Sequence, residues 1–251
     1  MNRRTSEIGF SQRVRLEWLE QVANLVLAGN DKSAINDALQ GLLKDKVSVG
    51  GQAIRGNREK IITILMKVWF NSPPVLEGLR VRGLELLKVL SPRDCMIVHW
   101  GMVMAIYPFW ADVAAQVGRL LRLQGTAAAA HVQRRVREQY GERETVSRAA
   151  RRVLRSFLDW GVLEETGKKG IYRLGSVSTV IDPRVVAWLV EACLRMRAAT
   201  SAELGDVLES TCLFPFQIAR VTADQLVGAS TYLDVLRHGL DQQLVLLREA
   251  D

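Results

Sequence analysis

The sequence predicts a mainly α-helical protein with a small β-hairpin near its middle. Good helix formers dominate the 251 residues and aromatic residues make up only 6%, which disfavours an all-β fold. Apolar residues recur at helical spacing along the N-terminal third, and one later segment has the strand, glycine-containing turn and strand of a hairpin. The length allows one large core or two ordinary ones.

The N-terminal segment, residues 1–108, is predicted to be a bundle of helices. Val14, Trp18 and Val22 are four residues apart and share one helical face, and Asp31 or Ser33 can cap the helix that follows. The predicted elements are a second helix through Leu43, a loop from Lys46 to Gly51, and helices from about Arg55 to Trp69 and from Leu76 to Leu90.

A long uncharged run from Cys95 to Ala111 could be mistaken for a membrane span. It holds 17 residues between Asp94 and Asp112, whereas a spanning helix needs about 20 apolar residues. Pro108 also interrupts the run and breaks a helix. The run therefore predicts two buried helices, with His99 as a core residue.

Cysteine usage and the N-terminus indicate the compartment. Cys95, Cys193 and Cys212 are far apart, odd in number and without metal-ligand spacing, which is typical of buried thiols in a reducing environment. No apolar stretch of a signal peptide follows the N-terminal arginines. The sequence predicts a cytoplasmic protein without a membrane partner.

The positive charge of the chain is concentrated in one region. Thirteen Lys and Arg but only six Asp and Glu lie between Arg119 and Arg173, and this excess equals the net charge of +7 of the whole chain. A localised positive field attracts a polyanion. The composition therefore points to a nucleic acid as the partner of this region.

The same region has the pattern of a helix-turn-helix. The pattern consists of a helix from Ala127 to Tyr140, Gly141 at its end, a turn from Glu142 to Glu144, a possible cap at Thr145, and a helix from Val146 to Trp160 that Gly161 ends. Apolar residues form one face of the second helix, namely Val146, Ala150, Val153, Phe157 and Trp160. Arg148, Arg151, Arg152 and Arg155 cluster on the nearly opposite side.

A basic hairpin follows this helix directly. Two strand-like segments, 162–165 and 171–174, flank a turn at 166–170 that contains two glycines and two lysines. A second helix followed by such a hairpin is typical of a winged helix-turn-helix, which we predict over residues 109–175. The helix would enter the major groove of duplex DNA, and the hairpin would reach neighbouring phosphates.

Ten residues are candidates for nucleic-acid contact: Arg134, Arg135, Thr145, Ser147, Arg148, Arg151, Arg152, Arg155, Lys168 and Lys169. Arginine suits both phosphate and guanine, because its planar fork donates two hydrogen bonds at once. Neighbouring acids, among them Glu138 and Glu144, can pair with Arg135 and Arg148. Whether bases are read stays open, because phosphate contacts carry no sequence information.

No motif in the chain indicates catalysis. His99, His131 and His238 are scattered and lack partners at metal-ligand spacing, and the sequence contains no P-loop, dinucleotide fingerprint, zinc-protease or nucleophile-elbow motif. The adjacent Glu164 and Glu165 would point to opposite faces of a strand. We expect a non-enzymatic protein without catalytic residues, metal or cofactor.

The C-terminal segment, residues 176–251, is predicted to be helical and shows no internal repeat. Gly175 to Thr179 is predicted as a linker, and Asp182 and Pro183 start a helix that runs to about Ala198. Further helices are predicted over Ser201–Ser210 and Thr222–Arg248, with an apolar break from Cys212 to Phe216.

The order of these elements resembles the BrxA family of BREX phage-defence systems. The resemblance rests on the helices from Phe10 to Leu43, the helix from Arg55 to Trp69, the aromatic run from His99 to Trp110, and Ser147 to Leu154 leading to Trp160-Gly161-Val162-Leu163. It covers residues 6–175 and has no counterpart for Ile181 to Asp251. It implies a small, helical, non-enzymatic DNA-binding protein that acts beside a methyltransferase, a phosphatase-like protein and ATPases in defence against phage.

Two other functions are compatible with the same residues. The basic module could dock an acidic protein surface, so that the chain would be a scaffold or adaptor within a multi-protein defence complex. A transcription regulator, which would protect a defined site at its own promoter, is the other. The DNA sequence preferred, the choice between DNA and RNA, and the oligomeric state are left open.

Overall fold

The computed structural model describes residues 8–47, 56–238 and 242–248 and is mainly α-helical with small sheets, as predicted. The N-terminal helices are Leu16–Leu27 (α1), Lys32–Leu43 (α2), Asn57–Trp69 (α3), Glu77–Val89 (α4) and Cys95–Ile106 (α5). Val14, Trp18 and Val22 are buried as their spacing predicts, and Asp31 caps α2 by accepting a hydrogen bond from the Ala34 backbone N–H. The loop predicted from Lys46 to Gly51 lies mostly outside the described residues.

The uncharged run folds into two helices, as its length and its proline predict. Helix α6, Pro108–Gln124, follows α5 after Tyr107 at a bend of 117°. All residues of α5 from Met96 to Ile106 are buried. Among the described residues, no single helix has the length and hydropathy to cross a membrane; α5 and α6 meet that test only when joined across their bend.

Residues 108–174, which we call the middle unit, combine helices with a three-stranded sheet. After α6 come Thr126–Ala128 (β1), Ala129–Tyr140 (α7), Glu144–Asp159 (α8), Leu163–Glu165 (β2) and Ile171–Leu174 (β3). The two strands predicted around the turn at 166–170 pair antiparallel, with Glu164 opposite Arg173. Strand β1 pairs with the other edge of β3.

Strand β1 corrects the prediction that the helix begins at Ala127. The local sequence of three small residues gives no strand signal, and alanine favours helix. Ala127 is nevertheless fully buried opposite Tyr172. Pairing with β3 therefore outweighs the helix propensity of this segment, because β propensity depends strongly on context.

Residues 183–248, the C-terminal unit, contain more strands than predicted. Pro183–Arg197 (α9) begins as expected, with the Asp182 side chain accepting from the Arg184 N–H. The remaining elements are Ser201–Glu203 (β5), Leu204–Leu208 (α10), Phe216–Ile218 (β6), Ala223–Ala229 (α11), Leu233–His238 (β7) and Gln242–Leu247 (β8), and the preceding linker contributes Ser178–Val180 (β4), which pairs with β6.

The helix predicted over Thr222–Arg248 is therefore wrong beyond Ala229. Strands β7 and β8 pair antiparallel, and their inward Leu233 and Val245 are fully buried. The alternation of side chains across the two strands fits a period of two rather than 3.6. A hydrophobic segment with β-branched valines can satisfy either period, and the pairing of two such segments decides for the sheet.

The C-terminal unit repeats the element order of the middle unit. In the middle unit α6 is followed by β1, α7, α8, β2 and β3, and β3 is the central strand. In the C-terminal unit α9 is followed by β5, α10, α11, β7 and β8, and β8 is the central strand. The segment between α10 and α11 adds a short 3-10 turn and β6. The repeat is one of topology, which the amino-acid sequence does not display.

One continuous hydrophobic core connects the N-terminal helices with both units. Trp100 of α5 is fully buried, stacks on Phe157 of α8 at 5.0 Å between ring centroids, and donates from Nε1 to the Cys212 carbonyl at 3.1 Å. The turn at Thr211–Leu213 packs on α6 at Gly118, where a Cβ would lie 2.0 Å from the Thr211 carbonyl oxygen. Close packing of this kind fixes the middle unit relative to its neighbours.

Candidate nucleic-acid interface

The inner face of α8 holds this helix in the core. The predicted apolar stripe is buried along its whole length, at Val146, Ala150, Val153, Phe157 and Trp160. Phe157 also meets Trp110 edge to face, with 4.7 Å between ring centroids. Aromatic contacts of this geometry add about 0.5–1.5 kcal/mol each beyond the burial of area. The helix therefore presents a fixed outer face.

Three arginines occupy the outer face of α8. The side chains of Arg148 and Arg151 are 57% and 53% exposed, and Arg155 is exposed as well. Glu144 lies 3.8 Å from a guanidinium nitrogen of each of the first two. Exposed pairs at such separations contribute about 0–1 kcal/mol, so these guanidinium groups stay available to a stronger anion.

Two candidate residues on α8 do not belong to this outer face. Ser147 is buried, because it is one turn from Ala150 and shares the inner side of the helix. Arg152 is half-buried and donates from its guanidinium to the Ser11 carbonyl oxygen. Burial, and to a lesser degree Arg148, lowers the pKa of Arg152. Ser147 therefore lies away from the exposed face on which the sequence predicted it, and Arg152 serves the protein's own packing.

The segment before α1 lies along the flank of α8. The Val14 N–H donates to Ser156 Oγ at 2.9 Å, and Trp160 Nε1 donates to the Val14 carbonyl at 3.1 Å. Arg13 forms an ion pair with Asp159 at the end of the helix. The Val14 and Ser156 partners are 142 positions apart in the chain, so no local pattern could predict this contact.

The start of α8 differs from the prediction at Thr145. The helix begins at Glu144, its N-cap is Arg143, and no side chain caps it. Thr145 is exposed in the first turn, where a hydroxyl can contact a ligand but cannot cap. Gly141 ends α7 as predicted, with a φ of 96° that favours glycine.

The hairpin between β2 and β3 exposes both predicted lysines. Lys168 and Lys169 lie at its tip, and Thr166 Oγ1 shapes the turn by donating to the Ile171 carbonyl at 2.9 Å. Burial and Glu165 raise the pKa of Tyr172, and Arg155 opposes that shift.

The two predicted residues on α7 form a separate cluster. Arg134 and Arg135 are both 55% exposed in their side chains, and both approach Glu138, at 3.8 Å and 3.0 Å. The pairing of Arg135 with Glu138 is confirmed, as is that of Arg148 with Glu144. Each arginine of α7 keeps donors free, because the guanidinium group has five N–H bonds.

Residues that could suggest catalysis are occupied elsewhere. His99 is buried, and its Nδ1 accepts a hydrogen bond from Trp69 Nε1 at 3.0 Å, which confirms it as a core residue. Burial lowers the pKa of His99 to about 3. Within the described ranges, no three His, Cys, Asp or Glu residues come close enough to hold a metal ion. The thiols of Cys193 and Cys212 are buried, as predicted, whereas Cys95 is only partly buried.

Searches of the chain against family models, curated proteins and solved structures find no match. The function of this surface therefore has to be argued from its own geometry and charge.

Proposed function

We propose that the middle unit is a winged helix-turn-helix that binds duplex DNA. In this proposal α6, α7 and α8 are the three helices of the motif, and the hairpin at 166–170 is its wing. Helix α8 enters the major groove, and the lysines of the wing contact phosphates beside it. The DNA-contacting residues are Arg148, Arg151, Arg155, Lys168 and Lys169, with Thr145, Arg134 and Arg135 at the periphery.

One observation carries the proposal: the exposed arginine face of α8 and the basic hairpin are neighbours on a single unit. The element order, with β3 central between β1 and β2, is the one expected for a winged helix. Helix α8 leads through a short turn into β2, and β2 pairs with β3, so the arginine face and the hairpin that carries Lys168 and Lys169 belong to adjoining elements. A polyanion that follows a groove offers phosphates at both places.

The energetic balance favours a phosphate over the protein's own carboxylates. Glu144 is exposed and not hydrogen-bonded to either arginine at 3.8 Å. A charge-assisted hydrogen bond to phosphate is shorter and roughly twice as strong as a neutral one. Each phosphate contact also releases a counterion, which drives binding at low salt.

The particular role that we propose is a non-enzymatic DNA-binding component of a bacterial phage-defence system of the BREX type. It is supported by the resemblance of residues 6–175 to the BrxA family and by the nearly neutral charge of the C-terminal unit. In this role the C-terminal unit would contact other defence proteins while the middle unit binds the DNA.

An adaptor function is the second candidate, and the C-terminal unit favours it. Leu236 and Leu244 lie directly opposite each other on β7 and β8 and are 53% and 36% exposed. Contiguous exposed apolar patches mark protein contacts, and this pair would form the centre of such a patch. The adaptor reading is favoured if a partner protein copurifies after nuclease treatment and is retained when the arginines of α8 are replaced.

Fluorescence anisotropy with labelled duplex DNA, single-stranded DNA and RNA tests the proposal. The expected result is tightest binding to the duplex, with an affinity that falls steeply between about 50 and 200 mM salt. Equal affinity for an acidic peptide and for duplex DNA, or no binding to duplex at low salt, would contradict it.

A further inference from the structure

Glu144 is an acidic residue on a surface that otherwise attracts phosphate. It is the first residue of α8 and is 66% exposed. Arg148 and Arg151 follow it by one and two helical turns on the same side of the helix, and its carboxylate lies 3.8 Å from a nitrogen of each. A carboxylate in this position repels phosphate, so it costs affinity for the DNA backbone.

Most other carboxylates of the middle unit are committed to a partner. Glu164 accepts from Arg173 at 2.8 Å, Asp159 pairs with Arg13, and Asp112 accepts from Tyr140. The carboxylate of Glu144 is beyond hydrogen-bond distance from both arginines. Its acceptor oxygens are therefore directed to solvent on the face that we assign to the groove.

Stabilisation of the helix is the alternative explanation for Glu144. An acidic residue in a first turn interacts favourably with the helix dipole, by about 0.3–1 kcal/mol. Glu17 and Glu59 also lie in the first turns of α1 and α3, which have no arginine face of this kind. The helix dipole alone explains an acid in the first turn, but it does not require one next to two exposed arginines.

Inside a major groove, a carboxylate finds only a few hydrogen-bond donors. Cytosine presents its N4 amino group, whereas adenine places the N7 acceptor next to its own amino group and so repels a carboxylate. Guanine presents acceptors, which suit arginine. Four residues of helix advance about 6 Å, close to two base-pair steps of about 3.4 Å, so Glu144 and Arg148 can meet bases of adjacent or next-but-one pairs.

We infer that Glu144 is a specificity-determining residue, which accepts a hydrogen bond from a cytosine amino group while Arg148 or Arg151 contacts a nearby guanine. The inference rests on the proposed function, because it requires α8 to lie in the major groove. The carboxylate lowers the affinity for DNA in general and raises the discrimination between sequences, because it finds a hydrogen-bond donor only opposite cytosine.

Selection from a library of randomised duplexes, followed by anisotropy on the selected and the scrambled sequence, tests the inference. The test variant is Glu144→Gln, which keeps the shape and removes the charge. Glu165→Gln is the matched control, because Glu165 is exposed on β2 and its replacement removes the same charge. Thermal unfolding of each variant is followed in parallel.

The wild type is expected to select a motif with a fixed cytosine. Glu144→Gln should lose about tenfold of the discrimination at that base and bind scrambled duplex more tightly, whereas Glu165→Gln should keep the motif. The inference is overturned if the wild type selects no cytosine, if both variants keep the same motif, or if Glu144→Gln lowers only the melting temperature. If wild-type protein binds no duplex at all, the proposed function itself has failed.

Discussion

The middle and C-terminal units share one topology but differ in charge and in their third helix. Residues 108–174 contain thirteen basic and seven acidic residues, whereas residues 183–248 contain six basic and seven acidic residues. The third helix has 16 residues in the middle unit and 7 in the C-terminal unit. The same arrangement of elements thus carries a basic surface in the middle unit and a nearly neutral surface in the C-terminal unit. Function has to be assigned from the side chains of each unit, since the fold alone does not determine it.

The ion pairs of the C-terminal unit show the same difference. Arg237 is paired with Asp224 of α11, and Arg248 with Asp234 of β7, both at 3.8 Å. Each exposed base of this sheet therefore faces an acid of the same unit. On α8, in contrast, Arg148 and Arg151 share the single carboxylate of Glu144, and Arg155 is exposed without an ion pair among the described residues.

Removing three arginines from one unit or the other is expected to give the largest difference in affinity for duplex DNA. It tests directly whether the two units differ in DNA binding. Replacing Arg148, Arg151 and Arg155 by alanine should weaken binding to duplex DNA at least about 100-fold and reduce the salt slope by about 2.7. Replacing Arg220, Arg237 and Arg248 removes the same charge from the C-terminal unit and should change the affinity less than about threefold. Anisotropy titrations over a range of salt measure both. Equal losses would mean that net charge, rather than the face of α8, binds the DNA.

The contact between the two units is expected to give the next largest effect. Gly118→Ala puts a methyl group where the Thr211 carbonyl lies, and overpacking of this kind costs about 1–3 kcal/mol. The unfolding free energy, measured with urea, should fall by that amount. Gly125→Ala, at the C-cap of the same helix, meets no neighbour within 4 Å but has a φ of 72°, so it reports the cost of backbone strain alone. A smaller loss for Gly118→Ala than for Gly125→Ala would contradict the tight contact.

The hairpin at 166–170 should contribute less to binding than the arginine face of α8. Lys168→Gln together with Lys169→Gln should weaken duplex binding about tenfold and lower the salt slope by about 1.8, because two phosphate contacts are lost. Since residues 239–241, which separate β7 from β8 in the sequence, include no lysine or arginine, this loss distinguishes the units. Thr166→Ser keeps the hydroxyl that shapes the turn and serves as the control. An unchanged slope would remove the hairpin from the interface.

Lowering the pH tests whether both units depend on one core. The expected loss of stability is the smallest effect of the series, because it is slight near neutral pH. The folded pKa of His99, about 3, lies below the ordinary value of about 6.5, so its neutral form stabilises the fold above pH 6.5. That stabilisation is lost progressively as the pH falls from about 6.5 towards 3. At pH 6 the loss is still under about 1 kcal/mol. Urea unfolding at several pH values should show this loss in wild type and a smaller one in His99→Gln. Separate transitions for tryptophan fluorescence and helical signal would show that the units unfold independently.

The sequence predicts those elements whose cause is local. Gly141 and Gly161 adopt the positive φ expected of helix ends, and the turn at 166–170 brings β2 and β3 together because the glycines and Thr166 permit it. The arginine face followed from helical spacing, except at Arg152. Its partner Ser11 belongs to the N-terminal segment, so only the tertiary structure reveals that this side chain is engaged.

The elements that were missed depend on distant partners. Strand β1 exists because β3 is available to pair with it, and β8 is held between β5 and β7. Short runs such as Ser201–Glu203 carry no periodic signal of their own. The repeated topology of the two units was for this reason invisible in the sequence, although it determines how the second half of the chain is organised.

The segment of residues 8–15 has a consequence for how the protein is made. Phe10 is fully enclosed, and Val14 bonds to a helix that is synthesised 142 positions later. During translation Phe10 and Val14 therefore lack their packing partners until α8 has left the ribosome. Contacts between such distant parts of a chain slow folding, and exposed apolar segments in partly folded chains promote aggregation. We expect slow, late docking of this segment to be the step at which α8 acquires its final support.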